Sequence, residues 1–176
     1  MADGRRVRIG LLLYEGVDLL DAGGPYEVFL TASRLVAREG GQPPFEVVTI
    51  SLTGGPVTAY GGMGLVPQTD VAGCGRIDVL VVPGTIDVDA ALADKELIAM
   101  VGELDATSEL TASVCTGAFL LAASGVMEDK PWTTHWEDID LLAEQLGDDE
   151  GAVRDVRWVD AGDVVTAAGL SSGIAM

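Results

Sequence analysis

Continuous apolar runs alternate with stretches of helical periodicity along this chain. Residues 7–14 form one such run behind a charged start, which predicts a strand buried on both faces of a parallel sheet. Residues 45–51, 77–84 and 110–114 read in the same way. Between the first two runs, residues 18–24 read as a Gly-rich connection. Pro25 suits a first helical turn, residues 26–36 carry helical periodicity, and Glu39-Gly40-Gly41 closes the helix. Residues 87–104 predict a short helix followed by a longer one. Residues 116–123 and the amphipathic stretch 137–146 predict two more. Gly54-Gly55-Pro56 and Gly61-Gly62 punctuate a hairpin excursion, and residues 156–160 and 163–166 a second hairpin. Trp132-Thr133-Thr134-His135-Trp136 predicts a short strand and its exit. Buried strands alternating with helices imply an α/β sandwich around a mostly parallel sheet. Sites in such sheets form at the C-terminal strand ends. Three loops meet that condition: the one after Tyr14, Pro83-Gly84-Thr85, and the one at Cys115.

The stretch Thr111-Ala112-Ser113-Val114-Cys115-Thr116-Gly117-Ala118-Phe119-Leu120-Leu121-Ala122 concentrates the chemistry. An apolar, β-prone run meets a strong helix former, and a cysteine between small residues sits at the junction. Ser113-x-Cys115-x-Gly117 is the cysteine counterpart of the strained nucleophile elbow, which lifts its reactive atom above a sheet. A helix start favours thiolate, so Cys115 is expected to be the most reactive thiol, with a lowered pKa. The competing reading of Cys115 is a buried structural cysteine. Cys74, in Ala72-Gly73-Cys74-Gly75, reads as a loop thiol with neither a helix nor an acid beside it.

Composition sharpens this picture at four points. A length of 176 residues predicts one domain, residues 1–176, with a full core. The last six residues read as the start of a helix, which suggests a truncation at the C-terminus. Two cysteines make no disulfide framework. The start Met-Ala-Asp-Gly-Arg-Arg runs straight into a strand, and no apolar run approaches the ~18–20 residues that cross a membrane. These features predict a cytoplasmic protein with reduced thiols and no membrane partner. The net charge of −18, from 28 acidic and ten basic residues, disfavours nucleic acid as a partner of this domain. The high apolar fraction argues against disorder, and the acidity reads either as adaptation to high salt or as that of a plain acidic, soluble protein.

The chain resembles the DJ-1/PfpI (ThiJ) superfamily, and within it isonitrile hydratase and the amidase-like sensor domain of AraC-type regulators. Four motifs carry the resemblance in order: residues 21–29, Ser113-Val114-Cys115-Thr116-Gly117, Thr133-Thr134-His135-Trp136, and residues 168–174. It implies a flavodoxin-like three-layer sandwich with Cys115 on the elbow, usually as a homodimer. Carried over residue by residue, Cys115 matches the nucleophile and Asp21 the carboxylate near the sulfur. Thr116 matches the residue whose backbone N–H and side chain serve the site. Gly84 matches the glycine whose N–H faces the nucleophile. Pro83-Gly84-Thr85 departs from the usual Pro-Gly-Gly, and Thr tolerates positive φ poorly. Thr116 stands where peptidase-type members place histidine, which argues against peptidase chemistry.

The chemistry so implied needs no metal and no cofactor. The Cys115 thiolate attacks the terminal carbon of a small isonitrile while protonated Asp21 acts as general acid. Water then resolves a thioimidate to an N-substituted formamide. Gly84 and Thr116 N–H groups stabilise developing charge. The resemblance implies that His135, the only histidine, and Glu15 stand behind the reacting groups and support them, with Glu15 kept as an alternative acid. Asp18 reads as a solvated neighbour, and Asp21 as an alternative helix cap. Trp132 and Trp136 read as core or cleft wall. Two other functions compete: a non-catalytic sensor domain of a transcriptional regulator, and a glyoxalase- or deglycase-like stress protein that would need His135.

Overall fold

A computed structural model describes residues 5–176. Seven strands form one sheet in the order β5-β2-β1-β6-β7-β9-β8, all parallel except β8 against β9. β1 (Val7–Leu12), β6 (Val79–Val82) and β7 (Leu110–Val114) run through the centre. Their apolar character on both faces follows from helices covering the sheet on each side. β2 (Phe45–Ser51) and β5 (Thr69–Asp70) continue the sheet on one side. β8 (Trp158–Asp160) and β9 (Val164–Ala167), the predicted second hairpin, close the other. The glycine-punctuated excursion is a small separate hairpin of β3 (Val57–Thr58) and β4 (Gly64–Leu65).

α1 (Leu19–Arg38) and α6 (Ser171–Ala175) pack on one another on one face, while α2 (Val88–Ala93), α3 (Lys95–Asp105) and α4 (Gly117–Ala123) pack together on the other. α5 (Ile139–Leu146) follows, stopped by Gly147 in the left-handed conformation. The core is continuous through the sheet, with Leu12, Ile50, Leu80, Val82, Leu121 and Trp132 fully enclosed. The result is a flavodoxin-like three-layer sandwich. No helix among the described residues is long and apolar enough to cross a membrane.

Two readings of the sequence are corrected. α1 begins at Leu19, not near Pro25. Asp18 caps it by accepting from the N–H groups of Leu20, at 2.9 Å, and Asp21, at 3.3 Å. Asp18 is therefore the cap, and Asp21 is the third residue of the helix. Pro25 lies inside α1, where it has no N–H for the Asp21 carbonyl. Gly24 is there for close packing rather than for a turn, since a Cβ on it would lie 2.7 Å from Ile174 of α6. The second correction concerns residues 132–136, which form no strand. Trp132 makes a single bridge to Ala152, and the rest of the stretch is tied down by side chains.

β1 lies between β2 and β6, so the chain reverses its direction of travel across the sheet there. The crevice this opens is at the C-terminal ends of β1 and β6. Asp21 follows β1, Gly84 follows β6 and Cys115 follows β7, so the topology brings all three to one rim.

Candidate active site

The backbone at Cys115 turns through φ 57°, in the left-handed region that a residue with a Cβ enters at a cost of about 1–3 kcal/mol. Tertiary bonds hold it there. The Cys115 N–H donates to Ala167 O at 3.0 Å, and the Thr134 hydroxyl donates to Cys115 O at 2.8 Å. The elbow is thus pinned between β9 and the residues 132–136 stretch. Gly169 closes over the sulfur at φ 110°. A Cβ on it would lie 2.9 Å from the Cys115 Sγ, so any side chain here is strained and forces the elbow to shift.

Asp21 is fully buried beside the thiol. Its Oδ2 accepts from the Gly84 N–H at 3.3 Å and its Oδ1 from the Leu170 N–H at 3.1 Å. Burial raises its pKa to about 6, the Asp18 charge adds to the rise, and the two N–H groups and the thiol hydrogen bond oppose it. Burial also pushes the Cys115 thiol up to about 12, with the Asp21 charge reinforcing it and the Thr116 N–H opposing. The expected lowering of the Cys115 pKa is therefore corrected. One N–H at the start of the seven-residue α4 is outweighed by desolvation and by a carboxylate next to the sulfur. Both shifts favour thiol with carboxylate over thiolate with carboxylic acid in this pair. Tyr14, buried below, donates its hydroxyl to Pro83 O at 2.8 Å. Burial and the nearby Asp21 and Cys115 raise its pKa well above the ordinary value.

The residues 83–85 loop is fastened to the elbow by two threonines. The Thr85 N–H donates to Thr116 Oγ1 at 2.8 Å, and the Thr116 hydroxyl donates back to Thr85 O at 2.6 Å. The Thr85 hydroxyl donates to Gly16 O at 2.7 Å. Thr85 is not at positive φ, so the departure from Pro-Gly-Gly brings no strain; it supplies a clasp instead. The Gly84 N–H, expected to face the sulfur, is directed at Asp21. The Thr116 hydroxyl is spent on the loop, while its backbone N–H serves the sulfur.

A cleft of about 310 Å³ opens on the sulfur, with Ile86, Val88 and Leu170 as its apolar wall and Asp18, Glu137 and Asp138 as its acidic one. His135 lines the same cleft, its Nδ1 3.3 Å from Asp138 Oδ2. Glu15 is elsewhere: it is exposed and accepts from the Thr58 N–H of the small hairpin at 3.0 Å. Trp136 is exposed and Trp132 is core. Cys74 is buried, donates its thiol to Val71 O at 3.1 Å, and has its pKa raised by burial. Among the described residues no group of three or more His, Cys, Asp or Glu side chains is arranged to hold a metal ion. Sequence reasoning assigned no role to Tyr14, Thr85, Thr134, Gly169 or Leu170. The signal for the last two was the Ala168-Gly169-Leu170 motif, whose chemistry becomes visible only when it reaches Asp21 and Cys115 across the sheet.

Comparison with known proteins places this geometry. The DJ-1/PfpI family profile matches residues 7–176. Isonitrile hydratase of Pseudomonas putida is 33% identical over 168 residues, covering 96% of this chain and 68% of that protein. The HTH-type transcriptional regulator GlxA of Rhizobium meliloti is 27% identical over 177 residues, covering 96% of this chain and 50% of the regulator. The crystal structure of a ThiJ/PfpI family protein from Pseudomonas syringae superposes with a TM-score of 0.80 at 26% identity, covering 97% of this chain and 66% of that one. The chain thus spans about two thirds of the hydratase and half of the regulator.

Proposed function

The chain belongs to the DJ-1/PfpI family, and from that premise we propose that it is a cofactor-independent, cysteine-dependent hydratase that converts a small isonitrile to an N-substituted formamide. The observation that carries this reading is the Cys115–Asp21 pair. An isonitrile carbon must gain a nucleophile and a proton at the same atom, and the pair offers a sulfur and one mobile proton side by side.

In the proposed reaction Asp21 draws the thiol proton as the sulfur attacks the terminal carbon of R–NC, then returns it to that carbon. The product is the thioimidate R–N=CH–S–Cys115. Water adds to this carbon, giving up a proton through Asp21 as the nitrogen gains one. Collapse of R–NH–CH(OH)–S–Cys115 breaks the C–S bond, releases R–NH–CHO and restores the thiol. One isonitrile and one water are consumed, and nothing is oxidised or reduced. A carboxyl held near pH 6 suits both directions of transfer. Thr116 and Gly84 work in this scheme mainly by position: the threonine clasp fixes the loop whose glycine N–H holds Asp21.

The test is hydration of an aryl isonitrile, followed as formamide, by wild type, Cys115→Ala and Asp21→Asn. Both substitutions are expected to lower kcat/KM by on the order of a hundredfold or more. Unchanged turnover in either folded variant removes that residue from the mechanism. We carry the homodimer and a cytoplasmic location in the same reading. The dimer is supported by the exposed Tyr60, Met63 and Val66 of the small hairpin, and is checked by sedimentation equilibrium. The match to half of a transcriptional regulator supports a second reading, a ligand sensor without turnover. Ligand-dependent thermal stabilisation with no product formed would favour it.

A further inference from the structure

The cleft at Cys115 carries permanent charge of one sign. Asp18 stands at its α1 side, Glu137 and Asp138 at the entry to α5, and Asp21 beside the sulfur. No arginine or lysine is among the residues that line it. Half of the ten are committed elsewhere: Arg5 and Arg76 to Asp78, Arg8 to Glu46, Arg154 to Asp140 and Asp149, and Lys130 to Asp163. His135 is the one basic group at the wall, and Asp138 and Glu137 lie 3.3 Å and 3.9 Å from its Nδ1. The cleft is also lined by the apolar Ile86, Val88 and Leu170. Carboxylates facing a confined cleft with too few cations of their own attract a positive ligand and repel a negative one.

We propose that the occupant of this cleft is a small organic cation: a reactive carbon at Cys115, a short apolar segment against Ile86, Val88 and Leu170, and an ammonium end toward Glu137 and Asp138. The site itself is defined by the nucleophile and its cleft; the carboxylates decide only the charge of what enters. The inference rests on the reading of this cleft as the substrate site. Under the hydratase reading it names the substrate class as amine-bearing isonitriles, and it excludes isonitriles with a carboxylate or phosphate.

The test reads charge selectivity at Cys115 without requiring hydration. Methanethiosulfonates that carry a trimethylammonioethyl, a methyl or a sulfonatoethyl group each transfer that group to a thiol. The reagent S–S bond breaks, a Cys115 disulfide forms, and methanesulfinate leaves as the thiol proton is released. Rates at the Cys115 peptide are followed by mass and normalised to those of 2-mercaptoethanol. At low salt the cationic reagent is expected to be at least about tenfold faster than the anionic one, with the neutral reagent between. The ratio narrows in Glu137→Gln/Asp138→Asn and in Asp18→Asn. It persists in Glu39→Gln/Glu103→Gln, which removes two exposed charges, one at the far end of α1 and one on α3. Equal normalised rates overturn the proposal. So does equal narrowing in the remote pair, which would assign the effect to the whole-chain charge of −18. A second arm compares hydration of amine-bearing, neutral and carboxylate-bearing isonitriles. Charge-selective labelling with no hydration of any of them sinks the hydratase reading and leaves this one. Hydration without charge preference, together with unselective labelling, does the reverse.

Discussion

At Asp21 a carboxyl group is enclosed with two backbone N–H donors, a thiol and no cation. Its pKa, raised from 3.8 to about 6, is a statement about stability as well as chemistry. A carboxyl with a higher pKa folded than unfolded holds its proton more tightly in the folded chain. Its contribution to stability is therefore greatest in acid, falls as pH rises from the unfolded value to about 6, and is a full penalty above that. The interval corresponds to on the order of 3 kcal/mol. Urea midpoints of wild type and Asp21→Asn, measured from pH 4.5 to 7.5, are expected to diverge in favour of the asparagine as pH rises to about 6 and to keep a constant gap above it. Parallel curves would show that burial does not hold Asp21 up. A second expectation concerns Gly169, where a Cβ would lie 2.9 Å from both the Sγ and the Cβ of Cys115. Gly169→Ala is expected to retain the fold by circular dichroism and to lower hydration and Cys115 alkylation by about ten- to a hundredfold, because the sulfur must move. Wild-type rates in this variant would mean that the close approach has no functional weight.

The elements matter here by what their ends present. α1 begins six residues earlier than the periodicity of its apolar residues suggests, because a side-chain cap and a tertiary partner override the glycines and the proline. Asp18 supplies that cap, and the cap sets the turn that carries Asp21. Asp18→Ala is expected to cost about 1 kcal/mol of stability by denaturant titration, and Asp18→Asn, which can still accept from Leu20 and Asp21, to recover most of it. Equal losses in the two variants would point to charge rather than capping. The long central strands were legible: Phe45–Ser51 and Leu110–Val114 were expected with the bounds observed, since a strand buried on both faces writes itself as an apolar run, whereas the runs at 7–14 and 77–84 extended past β1 and β6, and the two-residue β5 left no such run. The residues 132–136 stretch was not, because its extended backbone is fastened by Thr134 to the Cys115 carbonyl and by the Thr133 N–H to Thr166 instead of by a ladder.

For the molecule as a whole, charge is the quantity that stands out. At −18 over 176 residues the folded state works against its own repulsion, which salt relieves. Screening contracts from about 10 Å at 0.1 M to about 3 Å at 1 M. The thermal midpoint is therefore expected to rise steadily with sodium chloride across that range. A flat curve would mean that the acidity carries no salt dependence. The same field acts at the cleft, so activity assays at one salt concentration alone would confuse substrate preference with screening.

The sequence by itself determined the class of fold, the buried parallel strands and the elbow, while the pairing of Cys115 with Asp21 came only through the family resemblance. These depend on apolar runs, on small residues around one cysteine, and on motifs that retain their order along the chain. Only the tertiary structure decided the protonation of that pair. The thiol is raised rather than lowered because burial and Asp21, 94 positions away in sequence, outweigh one helix N–H. It also decided that Thr85 is a clasp, that Glu15 belongs to the small hairpin, and that Leu170 holds Asp21 across 149 positions of chain. Local pattern encodes which element forms. Desolvation, charge and hydrogen-bond geometry at a site exist only once distant elements have met.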